Sequence, residues 1–139
     1  MGNSLGLTPF ETVETISGWN FVALNLFATK FWAGQFFKKT TNEISEETIL
    51  AMRYMGLFLA FGRSFQYLCH TGTDKELKYK GYLLSSAVWL ASACLVVIHW
   101  DIIDPIQAYM NLPFYLAMGG GFFLLAPGIR EKAADHKKK

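Results

Sequence analysis

The sequence predicts an all-α membrane protein: a four-span transmembrane helical bundle, running up-down-up-down after a short N-terminal interfacial helix. Three observations predict this fold. Hydrophobic residues make up 52% of the 139 residues, and charged residues only 17%, whereas an average soluble domain has about 25% charged residues. Several weakly charged stretches have the length of about 20 residues that crosses a bilayer. Short polar connections separate them, so neighbouring helices are expected to be antiparallel.

The composition also narrows the possible functions. Twelve Phe residues and the low charge exclude a disordered chain, and two cysteines are too few for a disulfide scaffold or a structural zinc site. The net charge of +2 is too small to predict nucleic acid as a partner. We expect residues 1–139 to form a single membrane domain.

The interfacial helix is predicted at residues 9–17. It opens with TPFE at residues 8–11, a capping box with proline at the first helical position. Gly18 is expected to separate it from the first span, residues 19–37. That span is the weakest, because it contains Asn20, Asn25, Lys30 and Gln35. The alternative is a three-span protein in which this stretch lies flat on the membrane surface.

The other spans are predicted at residues 49–68, 81–100 and 106–126. The second follows Ser45 and two glutamates, which favour a helix N-terminus, and it is apolar except for Arg53 and Arg63. The third and fourth are uncharged and are preceded by the capping signals TDKE at residues 73–76 and DPIQ at residues 104–107. Pro127 and Gly128 are expected to end the fourth span, leaving a basic C-terminal tail at residues 128–139.

Basic residues predict the orientation. In a four-span arrangement both termini and the middle loop share one side, which holds eight Lys and Arg residues, while the other side holds only Lys38 and Lys39. The positive-inside rule therefore predicts both termini on the cytosolic, matrix or stromal side. The first 18 residues contain no Lys or Arg, so no cleavable leader is expected.

Two arginines within the second span are the clearest indication of a site or a buried contact, because an unpaired charge in lipid is costly. The spacing of Arg53, Gly56, Ala60 and Arg63 predicts one stripe that faces protein, with the small residues allowing close helix contact. Arg53 is expected to pair with an acidic residue near one membrane surface, such as Asp101 or Asp104. Arg63 is expected to face the acidic residues near the other surface, such as Glu14. The alternative to these structural ion pairs is a binding site for an anionic headgroup or substrate.

No catalytic or metal centre is predicted. None of the four spans contains Asp or Glu, which argues against a proton-coupled transporter. His70 and His99 are expected at opposite ends of the membrane and cannot share a haem iron, and Cys69 and Cys94 are expected to be equally far apart. The triplet Gly119, Gly120 and Gly121 lies within an apolar helix and predicts close helix packing.

The first span is rich in Phe and Trp, whereas a lipid-facing helix is usually richer in Leu, Ile and Val. This composition predicts contact with another protein, a specific lipid or a pigment. Asn25, Gln35 and His99 carry side chains that could contact a lipid, or chlorophyll through its magnesium, and a carotenoid fits the same apolar seams.

Together these features favour a non-catalytic accessory subunit of a larger membrane complex. Its expected partners are other membrane subunits and lipids. An energy-transducing membrane, respiratory or photosynthetic, is the expected location, in an organelle inner membrane or a thylakoid. The alternative is a small oligomeric channel or anion carrier that uses the intramembrane Arg and Lys residues.

Overall fold

The part of the chain that the structure describes folds into five helices. A computed structural model describes residues 7–37, 39 and 43–136. The helices are α1 (Pro9–Phe27), α2 (Thr29–Phe36), α3 (Glu46–Thr71), α4 (Lys75–Ile98) and α5 (Pro105–His136). The described residues contain no β-strand beyond an isolated bridge between Phe37 and Ile103, so the all-α prediction is confirmed. Among these residues, two helical segments are long and apolar enough to cross a membrane: Lys75–Ile98 and Pro105–Ile129.

The helix starts follow the capping signals in the sequence. The Thr8 side chain accepts from the backbone N–H of Glu11, whose carboxylate accepts from the N–H of Thr8 at 2.7 Å, completing the predicted capping box of α1. Ser45 caps α3 as predicted. Asp74 caps α4, one residue later than the threonine of the TDKE pattern. Asp104 caps α5 by accepting from the two N–H groups that follow Pro105.

The predicted helix break at Gly18 is wrong, because α1 runs through it without interruption. The buried residues of α1 recur every three or four positions and form one face: Glu11, Glu14, Gly18, Val22 and Asn25. Gly18 provides space rather than a break, since a Cβ there would lie 2.5 Å from Nε of Arg63. The predicted interfacial helix and the first half of the first span are therefore one helix.

The break lies at Ala28 instead, where φ is −117° and ψ is 29°. The hydroxyl of Thr29 donates to the carbonyl oxygen of Asn25. In an uninterrupted α-helix that oxygen accepts from the backbone N–H of Thr29, so the side chain competes with the helical bond. Residues 19–37 consequently form the end of α1 and the whole of α2, rather than one uninterrupted helix.

The predicted helix end at Pro127 and Gly128 is also wrong. α5 contains Pro113 and Pro127 and continues to His136. Each proline removes only one backbone donor and leaves the helix's other bonds available. The predicted basic tail is therefore helical as far as residue 136, and residues 137–139 lie outside the described residues.

The helices pack as two close pairs, α1 with α3 and α4 with α5. A Cβ at Gly56 of α3 would lie 2.9 Å from Leu26 of α1, and a Cβ at Gly119 of α5 would lie 2.7 Å from Leu90 of α4. Glycine thus lets the backbones of each pair approach closely. The hydroxyl of Ser86 adds a 2.8 Å hydrogen bond to the carbonyl oxygen of Gly119.

Aromatic rings fill much of the space between the two pairs. Phe10 of α1 packs against Phe122 of α5 with ring centroids 4.8 Å apart, and Phe21 of α1 lies 6.1 Å from Tyr115 of α5. Contact between the two pairs is less extensive than contact within each pair, and the cavity described below lies between them.

Candidate functional site: a buried polar network beside an apolar cavity

A chain of polar side chains connects α1, α3 and α4. Arg63 forms an ion pair with Glu14 and donates to Oε1 of Gln66 at 2.8 Å. Nε2 of Gln66 then donates to the hydroxyl oxygen of Ser85 at 3.0 Å. The guanidinium carbon of Arg63 also lies 4.7 Å from the centre of the Trp89 ring, within cation–π range. Arg63 is 7% exposed and Glu14 is 2% exposed, so the two charges are compensated inside the protein.

A second buried carboxylate, Glu11, connects α1 to α4. Its Oε1 lies 2.8 Å from Nζ of Lys78 and accepts from the hydroxyl of Tyr82 at 2.9 Å. Burial by itself raises the pKa of Glu11, but the bonds from Lys78, Thr8 and Tyr82 outweigh burial and hold the pKa below its ordinary value. The carboxylate therefore stays ionised and fully bonded, a structural rather than a proton-accepting arrangement.

Contrary to the prediction from their spacing, Arg53 and Arg63 do not lie on the same face of α3. Arg53 is exposed, whereas its neighbour Met52 is buried with Gly56 and Arg63. At about 100° per residue, the ten positions from Arg53 to Arg63 rotate about 80° less than three full turns of the helix. The eleven positions from Met52 to Arg63 exceed three turns by only about 20°. The buried stripe of α3 therefore contains Met52 instead of Arg53, and Ala60 is half-buried.

The predicted ion pair of Arg53 is not formed. Among the described residues Arg53 has no ion-pair partner, and the carboxylate of Asp104 is used to cap α5, accepting from the N–H groups of Ile106 and Gln107 at 2.9 and 3.2 Å. Asp101 is exposed in the turn after α4. An exposed Arg53 keeps its charge available to water or lipid headgroups near a membrane surface.

A cavity of about 480 Å³ lies between the two helix pairs, next to the polar network. All five helices and the turn after α4 contribute to its wall, which is mostly aromatic and aliphatic. On α3 the lining runs from Met52 to Arg63, and on α4 and its C-cap from Val88 to His99. At a rise of 1.5 Å per residue these segments are about 16 Å long. The cavity is therefore elongated along the helix axes.

The polar side chains that line this cavity are few: Asn25, Arg63, Ser92 and His99, besides the indole N–H groups of Trp32 and Trp89 and the hydroxyl of Tyr115. The hydroxyl of Ser92 donates to a carbonyl of its own helix at 2.9 Å. Nδ2 of Asn25 donates to the carbonyl oxygen of Phe21 at 2.8 Å, which orients the amide. The other amide atom of Asn25, Oδ1, is buried and has no hydrogen-bond partner.

The structure brings two of the three predicted contact residues together. Asn25 and His99 line the same cavity, although they belong to different helix pairs. Gln35 does not line it; it is exposed and borders a separate surface pocket near Asp104 and Gln107.

The glycine triplet of α5 is only partly a packing site. Gly119 contacts Leu90, and Gly121 contacts the ring of Phe10. Gly120 has open space where a Cβ would lie, so the packing predicted for it is wrong.

From the sequence Arg63 was expected to face acidic residues such as Glu14, with which it pairs, but the rest of the inner face of α1 was missed. Glu11 and Glu14 were assigned to a surface helix, and the buried roles of Gln66, Ser85 and Tyr82 were not anticipated. The signal was present in the three-and-four spacing of residues 11, 14, 18, 22 and 25, which continues through Gly18 and puts both carboxylates on the packed face.

The remaining chemistry of the described residues is limited. They contain no group of three His, Cys, Asp or Glu that could hold a metal ion. Cys69 is buried and Cys94 is exposed, and both are free thiols. No protein-family model, curated protein or solved structure matches the chain. The features of the molecule that bear on its function are the polar network, the cavity and the outer surface.

Proposed function

We propose that the chain is a non-catalytic accessory subunit of a larger membrane complex. The observation that carries this proposal is an exposed apolar ridge on α3, formed by Leu57, Phe58, Phe61, Phe65 and Leu68. All five side chains are exposed, and Phe58 and Phe61 are each 78% exposed. Their spacing places them on one side of the helix. A ridge of this kind is unsuited to water and suits contact with another membrane helix.

Exposed rings of the first predicted span extend the apolar surface. Phe27 is 86% exposed and Phe31 is 60% exposed, whereas Phe21, Trp32 and Phe36 face the cavity. The aromatic residues of this segment thus divide between the interior and the surface. Phe27 and Phe31 are the ones available to a partner subunit.

The charge distribution supports a structural role over the alternative of an anion channel or carrier. Among the described residues Arg63 is the only Lys or Arg that lines the cavity, and its charge is paired with Glu14. Lys30 and Arg53 are exposed and do not line it. An anion pathway needs uncompensated positive groups along its length, and no Lys or Arg among the described lining residues is uncompensated.

A non-catalytic role is consistent with the bonding of the buried acids. Glu11 and Glu14 each accept from positively charged partners, so neither is available as a general base. The buried thiol of Cys69 and the exposed thiol of Cys94 lie on different helices.

The proposed topology has four crossings, with residues 19–37, the end of α1 and the whole of α2, forming the first. The described part of α3 is about 39 Å long at 1.5 Å per residue, enough to cross a bilayer, and its exposed face is largely apolar. Lys75, Lys78 and Lys80 follow the turn after α3, so both termini are assigned to the cytosolic, matrix or stromal side. By analogy with other small accessory subunits, we assign the protein to an organelle inner membrane or a thylakoid.

Site-directed labelling tests this topology. Cysteines introduced at Gly72 and Ile102 are expected to react with a membrane-impermeant maleimide from opposite sides of sealed vesicles. An epitope added at the N-terminus is expected on the same side as position 72. An epitope on the side of position 102 would instead support the three-span alternative, in which α1 and α2 do not cross.

Photo-crosslinking tests the subunit role. A photoreactive phenylalanine analogue at position 61, on the ridge, is expected to form a discrete adduct with another protein in native membranes. The same analogue at position 124 is the control, because Leu124 of α5 is 77% exposed but lies outside the ridge. Lipid adducts alone at position 61, together with migration as a free small protein on a non-denaturing gel, would contradict the proposal.

A further inference from the structure

We propose that the cavity binds a single-chain lipid with a free hydroxyl group, and that Asn25 receives this hydroxyl. The inference deepens the proposed function of a membrane subunit, for which lipids are expected partners, and it rests on that function for its membrane setting. It concerns an internal site, whereas the subunit role depends on the outer ridge.

The shape of the cavity suits an alkyl chain. Its volume of about 480 Å³ falls within the range of about 300–1,000 Å³ typical of small-molecule sites. It extends about 16 Å along the helices at 1.5 Å per residue. Rings of Phe21, Trp89 and Tyr115 and the side chains of Met55 and Leu59 form much of its wall, so burial of an apolar chain there is favourable.

The unpartnered side-chain oxygen of Asn25 determines which polar group of a lipid can bind there. Asn25 is 3% exposed, and its Oδ1 has no hydrogen-bond partner. The bond from Nδ2 to the carbonyl of Phe21 at 2.8 Å opposes an amide flip, because a flip would place two oxygens against each other. The cavity therefore offers a hydrogen-bond acceptor, and a hydroxyl donor satisfies it.

The charges next to the cavity disfavour an anionic lipid group inside it. Arg63 is already paired with Glu14, so the described lining offers no unpaired Lys or Arg to a carboxylate. The amide oxygen of Asn25 is an acceptor and repels a carboxylate at the same position. A neutral hydroxyl fits both conditions. In the proposed complex this end of the lipid lies in the part of the cavity that contains Asn25, and the chain lies among the aromatic rings.

Quenching of tryptophan fluorescence measures this binding directly, because Trp32 and Trp89 line the cavity. The probes are a brominated long-chain alcohol, its methyl ether and the corresponding brominated carboxylate, each added to the intact chain in mild detergent. The alcohol is expected to bind about tenfold more tightly than the ether, the value of one hydrogen bond to a buried acceptor. It should also bind more tightly than the carboxylate. Trp32→Phe is expected to reduce the quenched fraction, whereas Trp19→Phe, outside the lining, is not.

A pair of asparagine variants locates the hydroxyl. Asn25→Leu removes the acceptor with little change in size, so the affinity for the alcohol is expected to fall to that for the ether. Asn111→Leu is the matched control: Nδ2 of Asn111 also donates to a carbonyl four residues earlier, at 2.8 Å, but Asn111 does not line the cavity. This control is expected to keep the tenfold preference.

Equal binding of alcohol and ether by the unaltered protein would overturn the inference, and this comparison holds even if Asn25→Leu fails to fold. A preference that survives Asn25→Leu would also overturn it. The outcome is separable from that of the subunit proposal. A chain that crosslinks to a partner but shows no preference for the alcohol contradicts only the lipid site, and a chain that prefers the alcohol but has no partner contradicts only the subunit role.

Discussion

Replacing Glu14 with Gln tests whether the buried ion pair holds the helices together. Arg63 would remain buried without its carboxylate, and breaking such a pair costs about 3–5 kcal/mol. The bond to Gln66 and the contact with Trp89 remain, which favours the lower value, about 3 kcal/mol. For 139 residues the unfolding entropy is about 0.3 kcal/mol per kelvin, so the unfolding temperature is expected to fall by about 10 °C.

The assay is thermal unfolding in detergent followed by far-ultraviolet circular dichroism, with two comparisons. Glu76→Gln is the control, because the Glu76–Lys80 pair is exposed and its charged atoms are 3.7 Å apart; a loss below about 0.5 kcal/mol is expected. Combining Glu14→Gln with Arg63→Met removes both charges and should cost less than the sum of the single changes. Equal shifts for Glu14→Gln and Glu76→Gln, or strictly additive effects in the double variant, would refute the reasoning.

Three further outcomes are expected. Gly119→Ala should lower the free energy of unfolding by about 1–3 kcal/mol, because the new methyl group overpacks the contact with α4. Gly120→Ala meets open space and should raise the free energy of unfolding by about 0.5–1 kcal/mol. Thermal unfolding of both variants shows whether the two changes act in opposite directions. Because the pKa of Glu11 is lowered from 4.5, its contribution to stability is complete above that value and is lost as the pH falls through the folded-state pKa. The variant Glu11→Gln should therefore show a smaller drop in unfolding temperature between about pH 6 and about pH 3 than the unaltered protein. Finally, a membrane-permeant maleimide should label the exposed Cys94 in the folded protein and the buried Cys69 only after denaturation. Mass spectrometry of the labelled chain measures this. Labelling of Cys69 in the folded protein would contradict the packing of α3 on α4.

The helix starts could be predicted from the sequence because they depend on local chemistry. Thr8, Ser45 and Asp104 each accept from backbone N–H groups within the next three residues, so all the atoms involved are close in sequence. The apolar character of α4 and α5 is likewise a property of consecutive residues. These features follow from short windows of sequence and needed no knowledge of the neighbouring helices.

Helix continuity was harder to predict, because glycine and proline act differently in different surroundings. Gly18 resembles a helix break, yet it lies within α1 and makes room for Arg63. Pro127 resembles a helix end, yet α5 continues past it. The actual interruption at Ala28 involves the hydroxyl of Thr29, a residue that is also tolerated within helices. Packing decides between these outcomes.

The sequence by itself determined that the chain is helical, where most of its helices begin and which two helical segments are apolar enough to cross a membrane. Only the tertiary structure decided that Tyr82 donates to Glu11, 71 residues away, and that Glu14, one of several acidic residues expected near Arg63, is the one that pairs with it. It also decided that Asn25 and His99 line one cavity. The spacing of residues along one helix indicates which face of that helix is packed. Which side chains of different helices contact each other depends on how side chains of different sizes set the distances between the helices.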